Sequence, residues 1–504
     1  MKKVKRIISI VLAIVMLNAV PMAANAQEDL RAKDVSIYPT LRLSGGWHPI
    51  DYPDGTPAFQ PGAGGEVLSS VLDGAMDALK RLDFDRVVDL LVQAFRDWFG
   101  PIRMGENGES VTPNLTSEVD NLTAKNLHLA YEFEFSFDWR LDPVKNAEKL
   151  EAYLELLEET RPGVEKYNFY AQSGGGPVML AYLQFHGFNR VASVVFDITM
   201  HNGTTMWGEL AKRKLVIDTQ AVGKLQAASL SMEGFALPPL QPLLRILYES
   251  GLLEIIERVL KLASYRIIDR VYDEILIPLI FTMPGIWNYV PQKDYDAAKK
   301  ALFNGDPKYA GLVAKLDYYR RNVLDNADRI ILDAAAQVKV AVRAGYGMPM
   351  PPLGKGSGAQ SDGMVDTAYA SIGATCAPLG RPFLPWYKQK KDAGHNHISP
   401  DRMIDASTCL LPDQTWFALD KPHISEHQYS GWYGWFKRTA NPTVFSSGEY
   451  PQFVRMVGPS IDWVADYEPL VVEPEPAWLA VLKAAGLWIL NAWRWLLRLP
   501  LAWA

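Results

Sequence analysis

The chain has 504 residues, with 51 Lys+Arg against 57 Asp+Glu and a net charge of -6. With 48% apolar and 21% charged residues, its composition is globular, which excludes the disordered and fibrous classes. The acidic balance argues against nucleic acid as a partner, because phosphate binding needs clustered Lys and Arg.

The N-terminus reads as a secretory signal. Lys2, Lys3, Lys5 and Arg6 precede the uncharged apolar run Ile7 to Leu17, 11 residues and too short for a membrane span. Ala24-Asn25-Ala26 supplies the small residues that a signal peptidase needs. The expectation is a signal over residues 1–26, cleaved after Ala26, with an uncleaved anchor as the alternative. The mature protein is then exported (secreted or extracellular) and still more acidic. An oxidising compartment permits a bridge between Cys376 and Cys409, and also permits two separate thiols. Two cysteines make neither a disulfide framework nor a metal site.

Strand and helix signals then alternate, which predicts an α/β sheet protein over residues 27–472. Tyr38 to Leu43 reads as a strand ending in Ser44-Gly45-Gly46, and Leu127 to Phe137 as an aromatic-rich strand. Pro143 to Thr160 carries helical spacing at Ala147, Leu150, Tyr153, Leu154 and Leu157. Strands follow at 165–171, 191–198, 338–344 and 415–419, with a buried helix at 177–185. Residues 208–333 break the rhythm with a long helical stretch, as a lid or cap insertion does; a helical domain without a gating role is the alternative. A second insertion, 380–412, is polar and irregular.

The tail, 473–504, opens on Glu473-Pro474-Glu475-Pro476, a stiff linker. Ala477 to Leu499 reads as a helix whose three cations, Lys483, Arg494 and Arg498, fall within about 60° of one another. Five tryptophans (Trp478, Trp488, Trp493, Trp495, Trp503) occupy the last 27 residues. Trp with Arg favours a helix lying at a lipid–water interface through residues 477–504. A helix docked on the parent domain is the alternative.

The strongest chemical signal is Tyr170-Ala171-Gln172-Ser173-Gly174-Gly175-Gly176. A strand runs into a serine with small residues two places before and after it, and an apolar helix follows. That is the context of a nucleophile elbow, whose crowded turn tolerates only small neighbours. A serine needs a base, and in this arrangement acid and histidine follow it in chain order. Asp362, in Ser361-Asp362-Gly363, is the acid, with Asp366 as runner-up. His423 lies on the first loop past strand 415–419 and is the base, with His427 as runner-up and His395 and His397 as alternatives in the polar insertion. One oxyanion donor is the Gly174 N–H; the second is the N–H of Gly46 or Trp47. Nothing in the sequence calls for a cofactor or metal.

Taken together, these stretches resemble the lecithin–cholesterol acyltransferase and bacterial triacylglycerol lipase branch of the α/β-hydrolases, patchily from about Tyr38 to Gln428. Tyr38-Pro39-Thr40-Leu41-Arg42-Leu43-Ser44-Gly45-Gly46 resembles the first strand and oxyanion loop of that branch. Phe137-Asp138-Trp139-Arg140 resembles its Tyr-Asp-Trp-Arg segment, and the Ser173 elbow its Gly-His-Ser-Met-Gly-Gly. Met200-His201-Asn202-Gly203-Thr204 resembles its Pro-His-Asn-Gly-Ser, and Ser361-Asp362-Gly363-Met364-Val365 its acid loop. Ser44, Ala171, Gln172 and Met200 depart from the pattern. The resemblance implies an α/β-hydrolase fold, a Ser173–His423–Asp362 triad and an ester or acyl-lipid substrate. His201 precedes the acid and reads as structural. Competing readings are a catalytically inactive hydrolase serving as a surface-binding module, a small-molecule esterase and a peptidase.

Overall fold

The computed structural model describes residues 29–122, 133–215, 265–350, 358–423, 430–457 and 466–472. The signal and the tail, as well as His427, lie outside the described residues. Among the described residues no helix is long and apolar enough to cross a membrane.

The molecule is an α/β protein built on an eight-stranded sheet. Its strands are β1 (Thr40–Leu43), β2 (Phe133–Phe135), β3 (Tyr167–Gln172), β4 (Val191–Asp197), β5 (Lys339–Tyr346), β6 (Thr415–Leu419), β7 (Phe453–Val457) and β8 (Asp466–Pro469). Their spatial order is β8-β7-β6-β5-β4-β3-β1-β2. Every neighbouring pair is parallel except β7 with β8. Parallel strands covered on both faces are near-continuous apolar runs, and Val191–Asp197 (VASVVFD) is buried at every position. The pleat divides the side chains: Phe169, Val194, Phe196 and Val342 join the main core, whereas Tyr170, Val195 and Ala341 join a second core.

The main face is covered by α3 (Pro143–Thr160), α4 (Gly175–His186) and α8 (Ala327–Ala335), numbering after α1 (Gly64–Lys80), α2 (Phe84–Phe99), α5 (Thr205–Ala211), α6 (Tyr295–Phe303) and α7 (Ala310–Asn322). Pro143 opens α3, Asp142 caps it by accepting from the Lys145 N–H, and Leu150, Leu154 and Leu157 are buried. On the other face, Trp432, Tyr433 and Phe436 of α9 (Ser430–Arg438) pack under β3, β4 and β6. Buried Lys339, at the start of β5, donates to the carbonyls of Lys437 and Thr439 at 2.7 Å each, satisfying the end of α9.

The long insertion between β4 and β5 is helical in its described residues, including a π-helical segment, Tyr272–Phe281. The last helix of the predicted 208–333 stretch, α8, packs on α4 and β5 and so belongs to the layer that covers the sheet. Residues 380–412 are mostly loops and turns, with Ile404–Asp405 pairing with Thr375–Cys376 and a short 3-10 helix at Ala406–Thr408. Cys376 and Cys409 are separate thiols. Sequence reasoning missed the hairpin α1–α2 and the two last strands, β7 and β8.

Candidate active site

In a parallel sheet, functional loops gather where the strands end. β1, β3, β4, β5 and β6 run the same way, so Gly45, Ser173, His201, Asp362 and His423 all follow strands at one edge. Ser173 follows the last residue of β3 and has φ +50°. That left-handed conformation is costly for a residue with a Cβ and lifts the hydroxyl off the turn. Close approach explains its neighbour: a Cβ on Gly175 would stand 2.2 Å from the Leu43 carbonyl oxygen. The turn is held by the Ser173 N–H donating to the Asp197 carbonyl (3.2 Å) and the Met200 N–H donating to the Ser173 carbonyl (3.1 Å).

The structure brings the three sequence-predicted residues together across 250 positions of chain. Ser173 Oγ lies 2.8 Å from His423 Nε2, and His423 Nδ1 lies 2.9 Å from Asp362 Oδ2. Ser173 and His423 are 7% and 8% exposed and Asp362 is wholly buried, so water competes little for these bonds. Asp362 Oδ1 accepts from the N–H groups of Met364 (3.0 Å) and Val365 (2.8 Å), which leaves Oδ2 for the histidine. The His423 N–H donates to the Asp362 carbonyl at 2.9 Å, so the two loops are also joined through their main chains. With Nδ1–H given to the carboxylate, Nε2 is the nitrogen that can accept the serine proton.

The alternatives lie elsewhere. Asp366 does not face His423; its oxygens accept from the Thr205 N–H (2.7 Å) and Thr205 Oγ1 (2.6 Å), fastening the start of α5 to the acid loop. Burial pushes its carboxyl above the ordinary range. His397 is fully buried against Gln452 and Asp413, and the His395 ring lies against Phe445. His201 Nδ1 is 2.9 Å from Thr199 Oγ1, and burial alone pushes its imidazole down to about 4.

The Ser44–His48 loop is more particular than its sequence indicates. A Cβ on Gly45 would stand 2.1 Å from the Gly174 nitrogen, so only glycine fits there. The Gly174 N–H points at the Gly45 carbonyl, 3.4 Å away. The Trp47 ring stacks on Trp139 with centroids 5.0 Å apart.

Two groups near the site were not foreseen. Buried Tyr289, on the insertion, places its hydroxyl 3.6 Å from where a Gly174 Cβ would be, and burial pushes that hydroxyl up to about 12, keeping it protonated. Asp197, whose carbonyl accepts from the Ser173 N–H, also accepts at Oδ2 from the Tyr170 hydroxyl (2.8 Å), with Lys421 Nζ at 3.5 Å and Arg343 at 3.7 Å from Oδ1. Burial opposes ionisation of Asp197, yet the Lys421 and Arg343 charges hold its carboxyl below the ordinary range. The available signal was charged residues inside otherwise apolar strands, Asp197 in VASVVFD and Arg343 in KVAVRAGY. Among the described residues no group of three or more His, Cys, Asp or Glu is placed to hold a metal ion.

No family model matches the chain, and no curated protein matches it. Among solved structures, the crystal structure of the Tle4-Tli4 complex is similar at 12% identity, over 61% of this chain and 74% of that one, with a TM-score of 0.29.

Proposed function

We propose that the protein is a serine ester hydrolase working through an acyl-Ser173 intermediate, with a lipid or other apolar acyl ester as substrate. The observation that carries this reading is the unbroken Ser173–His423–Asp362 hydrogen-bond relay, set on a serine with φ +50°. His423 Nε2 takes the hydroxyl proton as Oγ attacks the ester carbonyl carbon. The tetrahedral oxyanion is received by the Gly174 N–H and one N–H of the Gly46–Trp47 segment. Collapse expels the alcohol, which takes the proton back from His423. Asp362 holds the imidazole in the required tautomer and stabilises its charged form. Water, activated by the same histidine, then cleaves the acyl-enzyme; a second alcohol in its place gives acyl transfer.

The lipid class is supported by the Trp-rich 477–504 tail and by the insertion, which brings Tyr289 to the elbow. Export follows from the 1–26 segment. A fluorophosphonate probe tests the reading directly: it labels the wild-type chain at Ser173 and leaves Ser173→Ala unlabelled. An unlabelled wild-type chain defeats it. The reading of a catalytically inactive binding module draws on one observation, the Gly45 carbonyl seated on the Gly174 amide, and the same probe separates the two. Comparing emulsified with soluble esters, with and without residues 477–504, tests the substrate class.

A further inference from the structure

We infer that the oxyanion loop stands in an unassembled state, and that the Gly45–Gly46 peptide must turn over before Gly174 and Gly46 can share an oxyanion; this rests on the serine-hydrolase reading. An oxyanion hole needs two donors converging on one point. Here the Gly174 N–H is directed at the Gly45 carbonyl. The carbonyl and N–H of a trans peptide point in opposite directions. With the Gly45 oxygen facing Gly174, the Gly46 N–H of that same peptide therefore faces away. One donor is occupied and the other averted.

The surroundings confine movement to this one peptide. On one side His48 Nε2–H donates to the Ser44 carbonyl at 2.9 Å; on the other, the Trp139 indole N–H donates to the His48 carbonyl at 3.0 Å. The Trp47 ring is wedged between Trp139 and Phe99, with centroids at 5.0 and 5.6 Å. Rotating the peptide changes only ψ of Gly45 and φ of Gly46, each by about half a turn. The tie to be broken is 3.4 Å long, beyond ordinary N–H···O lengths, and an oxyanion is a stronger acceptor than the carbonyl it displaces.

Gly46 supplies a separate argument. A Cβ there would meet no atom within 4 Å, and its φ is not positive. Neither packing nor the present backbone requires glycine. Turnover carries φ of Gly46 to positive values, where glycine alone is unstrained. The second conformation accounts for a glycine that the first does not.

The test compares full-length wild type, Gly46→Ala and Gly46→Asn on a soluble p-nitrophenyl ester. Gly46→Ala should keep the wild-type melting temperature and KM while kcat falls roughly 5- to 100-fold, the cost of a strained non-glycine conformation. Gly46→Asn should recover part of the loss, because asparagine tolerates positive φ. A Gly46→Ala chain with wild-type kcat overturns the inference. A crystal structure of the phosphonylated wild type gives a second reading: the Gly45 carbonyl turned away, with the Gly46 N–H on the phosphonyl oxygen, supports turnover, and a carbonyl still facing Gly174 overturns it. A wild type that neither labels nor turns over is a different failure: it removes the hydrolase reading, and this inference with it.

Discussion

Two loops on either side of β5 each carry a buried histidine, and they have opposite chemistry. His201, after β4, touches the Thr199 hydroxyl, and burial drives its imidazole to about 4. His423, after β6, lies between the Ser173 hydroxyl and the Asp362 carboxylate. Both are nearly sealed from water, so burial does not distinguish them. The difference is the Asp362 side chain, which takes His423 Nδ1 and so fixes which nitrogen faces the serine. A similar contrast holds between Asp362 and Asp366, four residues apart. One spends an oxygen on histidine, the other both oxygens on Thr205.

The comparison is most exposed at the His423 loop. Ser173→Ala should lower ester turnover by roughly 10⁵- to 10⁶-fold, read as kcat on a p-nitrophenyl ester, with the circular dichroism spectrum unchanged. Asp362→Asn should cost about 10⁴-fold in kcat, by favouring the wrong histidine tautomer. A loss of under tenfold would break the claim that the carboxylate makes the base.

The His201 loop answers in stability. The folded chain keeps His201 neutral down to about pH 4, whereas the unfolded chain protonates it near 6.5. Between these values the unfolded state binds the extra proton. The contribution is therefore full above about 6.5 and is lost as pH falls toward about 4, on the order of 3 kcal/mol in all. Urea unfolding across that range should show the decline in wild type and a flatter profile in His201→Gln, with kcat at neutral pH within a few-fold of wild type. Smallest is Asp366→Ala, which strips two hydrogen bonds from Thr205 and should destabilise by about 1–3 kcal/mol. Its melting temperature should fall while fluorophosphonate labelling of Ser173 persists.

What could be read in the sequence follows the strength of local codes. The central strands were legible because residues buried on both faces make uninterrupted apolar runs, as in Val191–Asp197. The elbow was legible because the turn at Ser173 is crowded and leaves no room for a side chain at Gly175. β7 and β8 were not, since these short strands at one end of the sheet gain their identity from pairing and carry little pattern of their own. Asp362 could be ranked above Asp366 on its Ser361-Asp362-Gly363 context, but its partner His423 and the Thr205 partner of Asp366 come from loops distant in the chain. The orientation of the Gly45–Gly46 peptide was hidden altogether: glycine accepts either direction, so the residues that permit the choice do not encode it.

The span between Ser173 and His423 has a consequence for folding. Ser173 and His423 are 250 residues apart, and their strands, β3 and β6, are separated in the sheet by β4 and β5. The relay cannot close until both intervening pairings have formed, and such non-local contacts form slowly. On the serine-hydrolase reading, hydrolytic competence should thus emerge only at the end of folding, once the whole sheet from β3 to β6 is paired.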